Sequence, residues 1–245
     1  MKKLQLILQI LLNLNYLSEI LPFFLCLLFF KKINSKEIKV FFVYKTVAVL
    51  LLAFSVITNY KYSNIVVSIS VVVEFIFLSI MYSYTIRSLL VKKLIISSIF
   101  IFVVYWIYYD FSKITLQEFA FDFLNSAIES FFFTVVIIYY FYEIMRFNFT
   151  TPLFQLPSFW ISVAFLLFFS GSFFLFLYSK TMFGKTSGFD NQYLIIICTL
   201  TIIKNIILCI ALFVNKNLIV RKDNNPIPSN LNLDAFQPIN NQTNF

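Results

Sequence analysis

The chain contains no histidine, three glycines and three cysteines among its 245 residues, and each shortage excludes a class of site. Without histidine there is no imidazole base, no imidazole metal ligand and no histidine-ligated haem. Three glycines cannot form a glycine-rich phosphate-binding loop, which argues against nucleotide hydrolysis. The cysteines lie within apolar runs and share no regular spacing, so neither a disulfide framework nor a zinc site is expected.

Charged residues are also scarce. They make up 12% of the chain, whereas hydrophobic residues make up 60% and aromatic residues 20%, and a soluble domain usually has about 25% charged residues. Together with a mean hydropathy of +0.88, this composition excludes a soluble globular domain and a disordered chain and predicts a polytopic membrane protein. The lysines and arginines mostly lie between apolar runs, so the net charge of +8 indicates contact with anionic lipid headgroups rather than with nucleic acid.

Seven apolar segments predict an all-α bundle of seven transmembrane helices. The segments are continuously apolar rather than alternating, which excludes a strand barrel, and all but the fourth reach the length of a spanning helix. They cover about residues 4–30, 40–58, 65–85, 94–109, 121–142, 158–178 and 193–214. We therefore expect a transmembrane domain over residues 1–214 and a flexible polar cytoplasmic tail over residues 215–245.

The distribution of lysine and arginine predicts the orientation of the bundle. The first, third and fifth connections and the tail hold 11 of these residues, whereas the N-terminus and the second, fourth and sixth connections hold 6. By the positive-inside rule, the C-terminus lies in the cytoplasm and the N-terminus outside. The first segment is longer than one perpendicular span requires, so residues 1–13 form either a surface helix or a tilted extension of the span.

Four ionisable side chains stand out inside the apolar segments. Such a residue costs ~2.5–3.5 kcal/mol on insertion scales, so it requires a partner or a function. Glu74 and Lys204 lie at the midpoints of the third and seventh segments, and we expect an ion pair between them across the core. Glu19 and Glu129 are expected in the outer parts of the first and fifth helices, each with an asparagine one turn before it.

These residues and several neighbours predict a polar cavity between the helices that opens toward the outer face. Ser170 belongs to a step of small residues in the sixth segment, and such steps permit close helix packing or a ligand. Asn205 follows Lys204 and can form hydrogen bonds between helices. The predicted ligand- or proton-binding residues are Glu74, Lys204, Glu129, Asn125, Glu19, Ser170 and Asn205.

Three interpretations of this polar set stay open at the level of the sequence. In the first, Glu74 and Lys204 form a structural pair and the amides and hydroxyls connect helices. In the second, the same residues line a site in a receptor or transporter. In the third, Lys204 forms a Schiff base with retinal and Glu74 is the counter-ion, although Leu200 occupies the position where microbial rhodopsins usually carry a second carboxylate. The aromatic walls of a retinal site would be Phe75, Phe77, Phe168, Phe169 and Phe173.

Several stretches resemble a group of seven-helix inner-membrane proteins common in Bacteroidota, for which no activity is established. The stretches are Tyr16–Pro22, Val73–Phe75, Glu129–Ser130, Pro157–Ile161, Phe169–Phe176 and Lys204–Asn205. The resemblance implies a sensory or accessory component of a bacterial inner membrane that works beside a histidine kinase. It carries over no catalytic residues.

The function that we expect is therefore a non-enzymatic membrane sensor or receptor-like component. Protonation or ligand binding at Glu74 weakens its hold on Lys204, and the third and seventh helices then shift. A small transporter or channel, in which the same residues line a path, is the alternative from another class. No cofactor is expected outside the retinal interpretation, and an enzyme is not expected because no nucleophile–base spacing and no metal cluster is present.

Overall fold

The computed structural model of the protein describes residues 2–29, 35–58, 62–108, 123–147, 152–182 and 187–224, and these form seven long helices with no strand among them. Each helix is long and apolar enough to cross a membrane. The predicted all-α fold with seven membrane-spanning helices is thus confirmed, and its orientation stays a prediction. The helices are α1 (Lys2–Phe29), α2 (Lys36–Ile57), α3 (Ser63–Thr85), α4 (Leu89–Trp106), α5 (Phe123–Arg146), α6 (Pro157–Met182) and α7 (Ser187–Asn224).

The helices form where the sequence is continuously apolar, because a backbone surrounded by lipid must satisfy all its hydrogen bonds internally. The ends of several helices differ from the ends of the predicted apolar segments, and these differences have a physical cause. The fourth helix begins at Leu89 rather than at residue 94 and so includes Lys92 and Lys93, whose alkyl stems tolerate the edge of an apolar layer.

The first and last helices also exceed the expected lengths. α1 is a single helix from Lys2 to Phe29, so residues 2–13 belong to the same helix as the span and do not form a separate helix. α7 continues to Asn224, ten residues beyond the predicted end of the transmembrane domain, because polar residues tolerate a helix once it has left the apolar layer. The remainder of the predicted tail, residues 225–245, lies outside the described residues.

Six of the helices form a closed ring in the order α1, α2, α3, α5, α6 and α7, with α7 packed against α1. α4 packs on α3 outside this ring. Stacked aromatic rings fill much of the core: the rings of Phe75 and Phe102 lie 4.0 Å apart, and those of Phe133 and Phe169 lie 5.4 Å apart. The closed ring of helices places α1, α2, α3 and α7 around a common interior, and the charged residues lie there.

Glu143, in the last turns of α5, anchors the turn between α3 and α4. Its Oε2 accepts a hydrogen bond from the backbone N–H of Arg87 at 2.7 Å, and its Oε1 accepts one from the N–H of Ser88 at 2.9 Å. Ser88 directly precedes α4, so a carboxylate meets the positive end of that helix dipole. The contact fixes the peripheral helix α4 to the ring.

Removing this anchor has an expected cost. Hydrogen bonds to a charged group contribute about 1.5–3 kcal/mol each, and we expect Glu143→Ala to lower the free energy of unfolding by about that amount. Glu143→Gln keeps one acceptor and should lose less. Thermal unfolding in detergent measures the difference, and amide hydrogen exchange at Arg87 and Ser88 should accelerate in Glu143→Ala. Unchanged exchange at these two amides would contradict the anchoring role.

Candidate functional site

The centre of the ring contains two lysines and two glutamates from four helices, which we call the charge cluster: Glu19, Lys45, Glu74 and Lys204. Lys45 of α2 is completely buried. Its Nζ donates a hydrogen bond to Glu19 Oε2 on α1 at 2.9 Å and another to Asn205 Oδ1 on α7 at 3.1 Å. Lys45 therefore ties three helices together through direct hydrogen bonds.

Asn205 and Ser18 extend this connection. The Nδ2 of Asn205 donates to Ser18 Oγ at 3.1 Å, and Ser18 Oγ donates to the carbonyl of Asn15 at 2.8 Å. Pro22 lies one turn after Ser18 within α1, and a proline has no N–H to donate to the carbonyl four residues earlier. Pro22 therefore gives the carbonyl of Ser18 no hydrogen bond from four residues ahead, and the Asn205 side chain of α7 binds the Ser18 hydroxyl at this place.

Lys204 of α7 is held differently from Lys45. Its Nζ lies 3.8 Å from Glu74 Oε1 on α3 and 4.0 Å from Glu19 Oε1 on α1, although only 5% of its side chain is exposed. Both separations exceed hydrogen-bond distance, and within the described part of the chain Lys204 makes no closer polar contact. The ammonium lies over the ring of Phe168, 4.1 Å from its centroid, which provides cation–π attraction.

Glu74 has one direct hydrogen bond, from the hydroxyl of Tyr44 on α2 to Oε1 at 2.9 Å. The oxygen that accepts this bond is also the one nearest to Lys204. The Glu74 side chain keeps 15% of its surface exposed and that of Glu19 keeps 23%. Both carboxylates are therefore accessible from a space inside the bundle, whereas Lys45 is not.

That space is a cavity of about 400 Å³ between α1, α2, α3 and α7, within the range of small-molecule sites. Glu19, Glu74 and Lys204 lie at its charged end. The rest of its wall comes from residues 44–55 of α2 and 66–73 of α3, with two further residues each from α1 and α7, and it is mostly aliphatic. Further lining residues are Asn15, Tyr44, Ala48, Leu52, Ser70 and Thr201.

The cavity lies on the side of the bundle that carries the α2–α3 connection, which we predict to be the outer side. Toward the opposite side, the interior is filled by fully buried side chains one or two turns beyond the cluster, among them Phe41, Tyr82 and Leu212. Tyr82 also donates a hydrogen bond from its hydroxyl to Ser162 Oγ on α6 at 3.1 Å. The buried side chains thus close the cavity at its charged end, which we call its floor. The cavity is one-sided, because it extends from the floor only toward the α2–α3 connection.

The structure brings together four of the seven predicted site residues: Glu74, Lys204, Glu19 and Asn205. Glu19 requires a correction in depth. We expected it in the outer part of the first helix, but it lies at the level of Lys204, 4.0 Å from the ammonium. The cluster thus has two carboxylates near Lys204 instead of one.

Glu129 and Asn125 lie on α5, inside the ring but outside the ion-paired group. Glu129 is 3% exposed and Asn125 is 2% exposed. Glu74 and Lys204 interact electrostatically with Glu129, but no described lysine or arginine nitrogen lies within 4.0 Å of its carboxylate. Among described residues, Glu129 Oε1 and the buried hydroxyls of Ser126 and Ser130 have no hydrogen-bond partner. α5 thus contributes a second buried polar surface.

Ser170 does not belong to the site, contrary to the expectation. It lies on the exposed side of α6, where its hydroxyl donates to the carbonyl of Leu166 at 2.6 Å. The adjacent Gly171 serves packing instead, because a Cβ placed there would lie 3.0 Å from the Leu200 side chain of α7. A step of small residues predicts either close helix packing or a ligand site. Here it permits close contact between α6 and α7.

Two residues of the site, Lys45 and Tyr44, are not among those predicted from the sequence. Lys45 stands inside the second apolar segment, so the argument that identified Lys204 applies to it equally. Tyr44 gave no signal, because tyrosine is common in this chain and tolerated at many membrane positions.

The five phenylalanines considered as walls of a retinal site do not line the cavity. Phe75 and Phe169 instead stack on other rings in the core, and Phe168 covers the Lys204 ammonium. The space beside Lys204 has mainly aliphatic walls, so the arrangement does not favour the retinal interpretation.

Comparison of the chain with family models, curated proteins and solved structures gives no match. The interpretation of the site therefore depends on its own geometry. A buried lysine shared by two carboxylates, on the floor of a one-sided cavity, can bind a hydrogen-bond acceptor at the ammonium or a proton at a carboxylate.

Proposed function

We propose that the protein is a non-enzymatic membrane sensor, in which binding at the charge cluster changes the relative positions of α3 and α7. The observation that carries this proposal is the position of Lys204, whose Nζ lies 3.8 and 4.0 Å from two carboxylates of different helices. An ion held near two partners without a hydrogen bond to either can be displaced at small cost, and a switch requires such an element.

The input reaches the cluster through the cavity. Protonation of Glu74, or an acceptor group bound to the Lys204 ammonium, weakens the attraction between the two side chains. Close to Glu74 are the Tyr44 hydroxyl of α2 and the Lys204 ammonium of α7, and Glu129 of α5 interacts with it electrostatically. Glu19 of α1 is the second carboxylate beside Lys204, and it in turn binds Lys45 of α2. The Lys45 contacts keep α1, α2 and α7 joined during this change, so the movement is confined to α3 relative to α7.

The output lies on the opposite side, where the predicted cytoplasmic connections are basic. A signalling protein such as a histidine kinase is the partner that we propose there, in a bacterial inner membrane. The described basic residues of these connections include Arg87, Lys93 and Arg146. A shift of the end of α3 moves Arg87 directly, because Arg87 follows α3 by two residues.

Glu74→Gln tests the switch without knowledge of the natural input, because a glutamine mimics the uncharged carboxyl. Spin labels at Tyr84, near the end of α3, and at Phe213, near the end of the apolar part of α7, occupy exposed positions. They report the distance between these helices after the three buried cysteines are replaced. We expect Glu74→Gln to change the distance by about 1–2 Å, the scale of helix shifts in switching proteins.

Asp190→Asn is the matched control, because it also neutralises a carboxylate but lies in the first turn of α7, outside the walls of this cavity. It should leave the distance unchanged. An identical distance in wild type and Glu74→Gln contradicts the sensor mechanism for any input.

A small transporter or channel is the competing function, since the same residues could line a path. The filled interior beyond the cluster favours a sensor. Proteoliposomes separate the two functions: proton or solute flux that Glu74→Gln abolishes would establish transport and remove the sensor proposal.

A further inference from the structure

A second polar region lies at the other end of the bundle, around the α3–α4 turn, and the charge cluster takes no part in it. A cavity of about 440 Å³ lies there between α2, the α3–α4 turn, α5 and the start of α6. An adjacent cavity of about 350 Å³ extends along the end of α5. Arg87 lines both cavities, so the two adjoin at this residue, and we call them together the recess.

The chemistry of the larger cavity suits a ligand that carries both signs of charge. Its cationic groups are the side chains of Arg87 and Lys92, and its anionic group is the carboxylate of Glu37. Hydroxyl groups complete the wall, supplied by Tyr84, Thr85, Tyr140 and Ser158. Guanidinium, ammonium and hydroxyl groups are the usual partners of phosphate oxygens, and a carboxylate accepts hydrogen bonds from a primary amine.

The smaller cavity adds a second guanidinium. Arg146 lines it together with Arg87, and the two guanidinium groups lie 5.9 and 5.5 Å from the ring centroid of Phe147. Glu143 also lines this cavity, but its two oxygens accept hydrogen bonds from the backbone of the turn. The recess therefore has a cationic centre at Arg87 and an acidic residue, Glu37, on one side of it.

The position of the recess points to a lipid as the source of this chemistry. It lies where α3 and α5 end and α4 begins, which is the level of the headgroups for helices that cross a bilayer. The adjoining surface of α4 is strongly apolar and exposed: Leu90 is 75% exposed and Leu94 is 68% exposed. An acyl chain can lie along this surface while its headgroup occupies the recess.

We propose that the recess binds the headgroup of an aminophospholipid, with its phosphate on Arg87 and Lys92 and its primary ammonium on Glu37. Basic pockets between transmembrane helices bind lipid phosphates in general, and Glu37 gives this recess a preference for a headgroup that also carries an amine. The bound lipid bridges α2, α4 and the α3–α4 turn that Glu143 anchors.

Native mass spectrometry of the full chain in detergent tests the proposal, with titration of phosphatidylethanolamine, phosphatidylglycerol and phosphatidylcholine in parallel. We expect phosphatidylethanolamine to bind with the highest affinity. Arg87→Ala and Lys92→Ala should each weaken it about tenfold, the effect of losing one charge-assisted hydrogen bond. Lys93→Ala is the matched control, since Lys93 is exposed, adjoins Lys92 and lines neither cavity, and it should bind as the wild type does.

Glu37→Gln tests the amine preference separately from the phosphate contact. It should bind phosphatidylethanolamine and phosphatidylglycerol equally, without loss of phosphatidylglycerol binding. Equal binding of the three lipids by the wild type, or equal affinities of wild type and both alanine variants, would overturn the proposal. Free phosphoethanolamine that binds as tightly as the lipid would identify a soluble ligand and overturn the lipid assignment.

Discussion

Lys45→Met is expected to lower the free energy of unfolding by about 3–5 kcal/mol, the usual cost of removing one partner of a buried ion pair. The ammonium is completely buried and has direct hydrogen bonds to Glu19 and Asn205. Methionine fills a similar volume, so the loss comes mainly from the unpaired groups that remain. Thermal and denaturant unfolding in detergent measure this effect.

Lys39→Met on the same helix is the control, because Lys39 is exposed and surface substitutions usually change stability by less than about 0.5 kcal/mol. If Lys45→Met and Lys39→Met unfold alike, the hydrogen bonds of Lys45 do not hold α1, α2 and α7 together.

A double-mutant cycle isolates the contact between Lys45 and Glu19. Glu19→Gln removes the charge that Lys45→Met leaves behind, so the double variant should recover part of the lost stability. Groups in direct contact show coupling energies of about 0.5–3 kcal/mol, and a short charged hydrogen bond belongs at the upper end. Additive effects of the two substitutions would show that the 2.9 Å contact contributes no net stabilisation.

The helices of this protein follow from its sequence because the bilayer allows few alternatives. A continuous apolar run of sufficient length can only satisfy its backbone as a helix in lipid, and all seven runs do so. The helix ends are less constrained. Whether α4 begins at Leu89 or five residues later depends on whether lysine stems extend the apolar layer, and composition does not decide that.

The site is harder to predict than the helices. The depth of a residue along its helix can be counted from the sequence, whereas the rotation of the helix about its axis cannot. Counting residues from the ends of two segments gives the depth of Glu74 and Lys204, and their charged atoms do lie 3.8 Å apart. Rotation determines which side chains face inward, and a helix that is apolar all round carries no pattern that reveals it. The small-residue step predicts a place in the site for Ser170 but does not reveal its rotation, and Ser170 lies on the exposed side of α6.

Lys45 differs from its partners in how far the sequence predicts it. Its position within an apolar segment is sufficient to identify it as a candidate site residue, but the sequence does not reveal which residues it binds. Glu19 contacts Lys45 and Lys204 through different oxygens, at 2.9 and 4.0 Å. That division of one carboxylate between two lysines depends on the close approach of α1 to α2 and α7, which only the packed structure reveals.

The two lysines of the charge cluster should therefore respond differently to substitution, and this is the second large effect that we expect. Lys204 lacks hydrogen bonds to its carboxylates. Its attraction to them therefore offsets little of the free energy that is lost when the ammonium is removed from water. Replacing both members of a buried pair with uncharged groups is often neutral or stabilising by about 1–4 kcal/mol. We expect Lys204→Met/Glu74→Gln to unfold at or above the temperature of the wild type.

The same double variant should have no further switching response, because Glu74→Gln alone already removes the attraction between the two charges. The distance between spin labels at Tyr84 and Phe213 should then equal that of Glu74→Gln and differ from that of the wild type. Greater stability together with a lost response indicates that the pair is retained for function, since functional sites commonly lower stability. A loss of stability as large as that of Lys45→Met would instead make Glu74 and Lys204 a structural pair, and the sensor proposal would lose its central observation.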